Sequence, residues 1–499
     1  MTKLGLVSTV AAALVLATLP ALAPGPAPVT IPALQHWTAD TGTYTFGAQT
    51  RIVTSDPALS ATARVFATDL RALTGIAVSV VGGPGKAGDI ELQRGAASGG
   101  TEGYVLTAGS TLSVTSSSDS GVFNGTRTIL QLLHTSRTVP AGTASDWPTY
   151  PERGLMLDTG RKYFSLEFLR DRIRDMAYLK LNYLHLHLSD NFGFRLESQT
   201  HPEIVSADHY SRQEIRSLIA FAAQYHVQIV PELDFPGHMD TILASHPALK
   251  LVSKSDAVSD GFIDLSKPAS YDLMRDLINE YLPLFPSRFW HIGADEYVTN
   301  YADYPQLEQY ARTHYGSAAT GKDSYYGFIN WADRLVRAAG KTTRMWNDGL
   351  KPGGATLTVN SDIVVEHWSA GALPWLGSAY TPQQLVDSGH LVMNNAYTPL
   401  YYTLGIGGTL LTAPVASMYD LWEPNTFVDG SHLRDPHSSL GAKLDVWCDD
   451  PNAQTEDQIA RGIFPRLRVL SQQTWGSPKP APIYLPYAGI ISSVGAAPE

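Results

Sequence analysis

A strand-then-helix rhythm through the later part of the chain predicts an α/β fold: a (β/α)8 TIM barrel preceded by a small α+β domain. Three observations carry that reading. The chain has 499 residues, more than a single core usually serves, so two domains are expected. From Gly154 onward, eight apolar segments of strand length alternate with helical patterns. Acids and tryptophans recur just after the carboxyl ends of those strands, where a barrel gathers its active-site loops. A doubly wound sheet is the competing architecture.

The first segment reads as an export signal, residues 1–27. Lys3 precedes an apolar run from Leu4 to Leu19, and small residues and prolines follow from Pro20 to Pro28. That run is short for a membrane span and has the exit of a cleaved leader, so a secreted protein is expected. A tethered protein is the alternative. No later apolar stretch is long enough to cross a bilayer. Cys448 is the only cysteine, so no internal disulfide is available.

Residues 28–148 are expected to form the small domain. Gly47–Val53 and Gly103–Thr107 read as strands flanking a helix from Leu59 to Leu73, and Val122–Leu133 repeats apolar positions at helical spacing. The Pro/Gly/Ser-rich stretch Pro140–Pro151 reads as the crossing into the second domain, 149–499. There, strands are expected at Gly154–Asp158, Asn182–Leu188, Val227–Asp234, Arg288–Ile292, Thr342–Trp346, Asp362–His367, His390–Asn394 and Ala442–Trp447. Ser211 and Glu214 form a capping box opening the helix that ends near His226.

Composition excludes some partners. The formal net charge is −11 and no Lys/Arg block occurs, so a phosphate backbone is not an expected ligand. Ten Trp and twenty-four Tyr offer flat amphipathic rings of the kind that suit sugar faces, although most aromatics in any protein pack in its core.

The chemistry concentrates at Asp295-Glu296, which closes the apolar strand pattern Arg288–Ile292 after Gly293 and Ala294. Two close carboxylates disfavour joint ionisation, so one can keep a proton while the other stays anionic. Adjacent strand residues point to opposite faces, so both reach one substrate only where the backbone bends. Asp158, Asp190, His238, Trp346, Asp348, Trp368, Tyr401, Trp447 and Asp449 fall at or after other strand ends. His185 and His187 share a strand face and are explained by hydrogen-bonded burial. Asp234 and His238 lack a third ligand on their loop, so no metal is expected, and no cofactor.

Taken in chain order, the motifs Arg153-Gly-Leu-Met-Leu-Asp158, His185-Leu-His-Leu-Ser-Asp190, Pro231-Glu-Leu-Asp-Phe-Pro-Gly-His238 and His291-Ile-Gly-Ala-Asp-Glu296, the last the most specific, resemble the family 20 glycoside hydrolases. These are β-N-acetylhexosaminidases, lacto-N-biosidases and biofilm-dispersing glucosaminidases. The likeness spans the mature chain, the first domain resembling their non-catalytic α+β domain. It implies retaining hydrolysis assisted by the substrate's own 2-acetamido group, an exception to the two-carboxylate scheme. On that resemblance Glu296 is the general acid/base and Asp295 holds the acetamido N–H. Tyr401, or else Tyr397, donates to the acetamido oxygen. Arg153 matches the arginine that grips the 3- and 4-hydroxyls, with a structural salt bridge as the alternative. Asp190 and His238 form the polar wall joining the hydroxyl site to Glu296, and Trp346, Trp368 and Trp447 the aromatic walls. Asp348, which follows Trp346, is counted with these substrate-binding groups. Asp449 departs from the Glu that many family hexosaminidases carry after the tryptophan, which leaves gluco- against galacto-preference open.

The implied activity is hydrolysis of terminal β-linked GlcNAc or GalNAc from an oligosaccharide or glycoconjugate. Release of lacto-N-biose, Gal-β1,3-GlcNAc, competes with it, as does a narrower action on poly-GlcNAc. A barrel that binds carbohydrate without turnover is the non-enzymatic alternative, and the intact Asp295-Glu296 pair speaks against it.

Overall fold

The computed structural model describes residues 27–371 and 378–499; the expected export signal lies almost wholly outside the described residues. The chain forms a mixed sheet with helices, followed by a closed parallel barrel. Among the described residues no helix is long and apolar enough to cross a membrane.

The first sheet has seven strands, in the order His36–Thr45, Thr138–Asp146, Tyr104–Ala108, Leu112–Ser116, Ile90–Arg94, Arg51–Val53 and Ser79–Val81. Helices Ser60–Thr74 and Asp119–Thr135 pack against it. The second is buried along most of its length because it also meets helix Leu166–Tyr178 of the barrel. The supposed crossing segment is a strand in its first half: Thr138–Asp146 pairs on both sides, and the link begins at Trp147. Its Pro140 and Gly142 suggested a loop, but two neighbouring strands supply the ladder that local propensity does not. His36–Thr45 escapes sequence reading because it is an edge strand with mostly exposed side chains, without the alternation that marks a half-buried strand.

The barrel strands are β1 Glu152–Asp158, β2 Tyr183–His187, β3 Gln228–Phe235, β4 Phe289–Gly293, β5 Thr342–Trp346, β6 Val364–His367, β7 Val392–Asn394 and β8 Ser439–Trp447. Each pairs in parallel with the next, and β8 pairs with both β7 and β1, closing the ring. Alternation sorts the side chains of β1: Leu155 and Leu157 join the main core, while Met156 packs beneath Trp346, Trp368, Tyr401 and Trp447. The interior carries charge as well. Arg344 of β5 donates to Glu152 at 2.8 Å and to Glu366 at 2.5 Å, and Lys443 pairs with Glu366. Such buried ions persist because each has partners. The helix after Ser211 opens with the expected capping box, Ser211 Oγ accepting from Glu214 N at 3.1 Å.

Candidate active site

At the carboxyl end of β4 the backbone leaves the strand by a left-handed bend. Gly293 and Ala294 have φ +68° and Glu296 has φ +44°. For Ala294 and Glu296 this costs roughly 1–3 kcal/mol each and needs outside support. Support is present. Ala294 N donates to Phe235 O at 3.0 Å, Tyr325 donates its hydroxyl to Ala294 O, and Glu296 N donates to Asp348 Oδ2 at 2.9 Å. Gly293 is required, since a Cβ there would lie 1.7 Å from Asp234 Oδ1. The bend brings Asp295 and Glu296 to one cavity, as two adjacent residues on a regular strand could not be.

That cavity, of about 270 Å³, opens at the carboxyl ends of the strands. It lies near the lower limit of small-molecule pockets, about 300–1,000 Å³, and suits a compact group. His238, on the loop after β3, faces both acids: its Nε2 lies 3.5 Å from Asp295 Oδ2 and 3.4 Å from Glu296 Oε2. Burial opposes a charge on this ring, but the Asp295 and Asp190 carboxylates outweigh burial and raise its pKa well above the usual value. Burial alone would also keep Asp295 protonated, yet the His238 cation beside it holds it below the ordinary carboxylate range.

Two buried neighbours are pushed the other way. Asp234 is raised well above the usual value by burial and by the charge on Asp295, to which it hydrogen-bonds as the neutral acid. Asp348 is raised to about 7 by burial and by Asp295. The division of protonation expected of adjacent acids is thus built by a surrounding set, with Asp295 held low beside a cation while Asp234 and Asp348 are pushed up.

The aromatic walls come from four places. Trp346 ends β5, Trp368 follows β6, Trp447 ends β8, and Tyr401 begins a short strand paired with that end of β8. Trp368 and Tyr401 stack with centroids 6.2 Å apart, and Trp447 lies 5.8 Å from both Trp346 and Tyr401. Trp368 donates Nε1–H to Asp348 at 3.1 Å. Tyr397 is half-buried and packs against this cluster from outside.

Comparison with known proteins settles the lineage. Residues 150–478 match the model described as glycosyl hydrolase family 20, catalytic domain, and residues 27–147 match domain 2 of the same family. The chain belongs to glycosyl hydrolase family 20. It is 34% identical over 462 residues to a lacto-N-biosidase of Bifidobacterium bifidum, covering 91% of this chain and 40% of that one. It is 29% identical over 265 residues to beta-hexosaminidase subunit A1 of Dictyostelium discoideum, covering 50% and 49%. The chain therefore spans less than half the length of either curated relative. The fold is shared with a family 20 exo beta-N-acetylglucosaminidase of Vibrio harveyi solved with N-acetylglucosamine: TM-score 0.77, 22% identity, covering 94% of this chain and 78% of that one.

One expected sugar contact of this family 20 chain lies elsewhere. Arg153 is near the amino end of β1, five residues before Asp158, which is about 16 Å of strand. It is 1% exposed, donates to Glu102 of the small domain at 2.6 Å and to Lys180 O at 2.9 Å, and never meets the cavity. The salt-bridge alternative describes it. The cavity's guanidinium is Arg161, three residues beyond Asp158, with Asp158 at 2.9 Å, Asp190 at 3.0 Å and Asp449 at 3.9 Å. The signal was in the sequence: of two arginines flanking one strand, only the one after its carboxyl end can face a barrel's active site. Asp449 is half-exposed at the cavity mouth. Asp234, Thr403 and Leu411 were also not foreseen as site residues; the last two line the cavity beyond Tyr401.

Asp190 lies behind the wall. Its carboxylate accepts from His187 Nε2 at 2.7 Å and sits 3.8 Å from His238 Nδ1. Burial would raise its pKa, but Arg161 and His238 hold it low. Cys448 is buried, and burial pushes its thiol well above the usual range, so it is no nucleophile.

Proposed function

We propose that the chain is a retaining β-N-acetylhexosaminidase that removes a terminal β-linked GlcNAc or GalNAc with the help of the substrate's acetamido group. The observation that carries the reading is the meeting of Asp295 and Glu296 with His238 inside an aromatic cage. Glu296 protonates the glycosidic oxygen, and the acetamido oxygen attacks C1 to give an oxazolinium. Asp295, kept anionic by His238, accepts from the acetamido N–H as positive charge develops there. Tyr401 donates to the acetamido oxygen, and Trp346, Trp368 and Trp447 press the group toward C1, so the nucleophile is supplied by positioning. Glu296 then takes a proton from the water that opens the ring.

Arg161 replaces Arg153 as the residue proposed to hold the 3- and 4-hydroxyls, beside Asp190 and Asp449. A guanidinium at that end of the cavity favours a single terminal sugar, because a 3-linked galactose needs the same volume. Two observations favour the second reading, release of lacto-N-biose: the extent of the likeness to the Bifidobacterium bifidum protein, and the shorter Asp449 at the mouth. The leader-like residues 1–27 support export.

The deciding experiment offers aryl β-GlcNAc, aryl β-GalNAc and aryl lacto-N-bioside to the purified chain and identifies the released sugars. Turnover of the monosaccharides with rejection of the 3-galactosylated substrate is expected. Exclusive release of intact disaccharide would overturn the first reading in favour of the second.

A further inference from the structure

Away from the cavity, the loop after the Ser189–Phe194 hairpin brings two imidazoles and a carboxylate together at the surface. His201 Nδ1 lies 3.0 Å from Glu203 Oε1, and His246 Nε2 lies 3.0 Å from the same oxygen. The two rings stand edge to face, centroids 5.7 Å apart. All three ligand atoms fall within 4.8 Å of one another. We infer that His201, Glu203 and His246 form a binding site for a divalent transition metal of the zinc class, with water as the fourth ligand.

The chemistry of the donors fits. Zinc takes imidazole nitrogen and carboxylate oxygen at about 2.0–2.2 Å, which sets tetrahedral ligands about 3.4 Å apart, so each nitrogen-to-Glu203 separation needs only a few tenths of an ångström of opening. A second observation points the same way. If His201 Nδ1–H donates to Glu203, its Nε2 is left as a bare lone pair, buried, without a hydrogen-bond partner and 3.5 Å from Asp276 Oδ2. With a metal on Nδ1, the proton moves to Nε2 and faces Asp276. That is the carboxylate–histidine–metal arrangement that fixes a ligand's tautomer.

The site is also accessible and preformed. The His201, His246 and Glu203 side chains are 16%, 24% and 43% exposed. Ser245 Oγ already donates to Glu203 O at 2.9 Å, tying the two ligand-bearing segments together. The deeper His185–Glu232–His291 set differs: the Lys443 ammonium lies 2.7 Å from His185 Nδ1, so a metal at Nε2, the nitrogen that faces Glu232, would share that ring with a fixed cation.

One consequence is mechanical. His201 and Glu203 follow the hairpin that begins with Ser189-Asp190, and His246 ends the short helix that starts just after His238. A metal here would staple together the two loops that bring Asp190 and His238 to the cavity, without touching substrate.

The test titrates chelator-treated full-length chain with zinc chloride by calorimetry, and with cobalt(II) while recording visible absorption. Wild type is expected to take one zinc per chain and to show the strong visible bands of low-coordinate cobalt. His246→Gln and Glu203→Gln should each weaken zinc binding by at least about tenfold, and Asp276→Asn by about tenfold, the scale of losing a ligand's outer partner. Zinc should raise the unfolding temperature of wild type and not of His246→Gln. Should the histidine variant fail to fold, Glu203→Gln, altered at an exposed side chain, makes the same comparison. Wild type without saturable zinc binding, or variants that bind as wild type does, would overturn the site.

Discussion

Trp346 donates its indole N–H to Glu232 at 2.7 Å, so one wall of the cavity is fixed by an acid inside the barrel. Glu232 is fully buried and also accepts from His187 Nδ1 at 2.6 Å, while His187 Nε2 faces Asp190 at 2.7 Å. The aromatic wall and the polar wall thus share one support. Burial penalises the charge on Glu232, but His187 and His291 outweigh it and hold its pKa well below the ordinary range. His187 is correspondingly raised, against its own burial.

Glu232→Gln removes the charge and keeps the shape. The variant leaves His187 protonated without its main counter-charge, which should cost about 3–5 kcal/mol of stability, the scale for breaking a buried pair. Urea unfolding checks this. A loss below about 1 kcal/mol would mean that the histidines simply give up their protons.

Glu296→Gln should leave the fold intact and cut turnover of alkyl glycosides by about 10²–10⁴-fold, the usual range for a general acid. Aryl substrates with good leaving groups should lose much less. Steady-state kinetics on a leaving-group series measures the contrast, and equal losses across it would sink the general-acid role.

The pair Asp295-Glu296 was legible because the two acids are contiguous and close an apolar strand, and a barrel strand aims its carboxyl end at the site. The eight strands were legible for a related reason: strands sealed on both faces leave long apolar runs. Arg153 was matched to the family's hydroxyl-gripping arginine through a motif that runs the length of β1, and the match did not register that its first residue lies at the small-domain interface while only its last reaches the cavity end. The protonation pattern was not readable at all. Asp234 and Asp348 are both raised by burial beside Asp295, a relationship between β3, β4 and β5 that no single segment carries. His36–Thr45 and Thr138–Asp146 were missed because their order comes from neighbours rather than from their own pattern.

Asp348 gives a signed pH prediction. Its folded-state pKa, about 7, lies above the ordinary value of about 3.9 for an unfolded aspartate. Between those values the folded chain holds a proton that the unfolded chain has released. Its contribution therefore favours folding at low pH and is lost as pH rises from about 4 to about 7, by up to about 1.4 kcal/mol per unit. Asp348→Asn cannot titrate, so the difference in stability between wild type and variant should slope across that window and flatten above it. Urea unfolding at a series of pH values reads the slope, and a flat difference would place the Asp348 proton elsewhere.

The two arginines around β1 separate site from scaffold. Arg161 lines the cavity and is held from behind by Asp158 and Asp190; Arg153 stands at the opposite end with Glu102 and the Lys180 carbonyl. Arg161→Met should lower kcat/KM for aryl β-GlcNAc by at least about tenfold, since a charged hydrogen bond to substrate is worth about 1.5–3 kcal/mol. The same change removes the largest of the cations that hold Asp190 low, leaving His238 and His187, and should raise that carboxyl's pKa, shifting the acid limb of the pH–rate profile upward. Arg153→Met should instead cost stability, about 1.5–3 kcal/mol for its lost charged hydrogen bonds, since the Glu102 left behind is partly exposed, while the fraction that remains folded keeps its kcat/KM. Active-site titration before the kinetics removes the effect of unfolded protein. If Arg153→Met impaired the folded enzyme as much as Arg161→Met did, the sugar site would have to communicate with the small domain through the barrel's buried charges. The interior column Arg344–Glu366–Lys443 would then be the next place to cut.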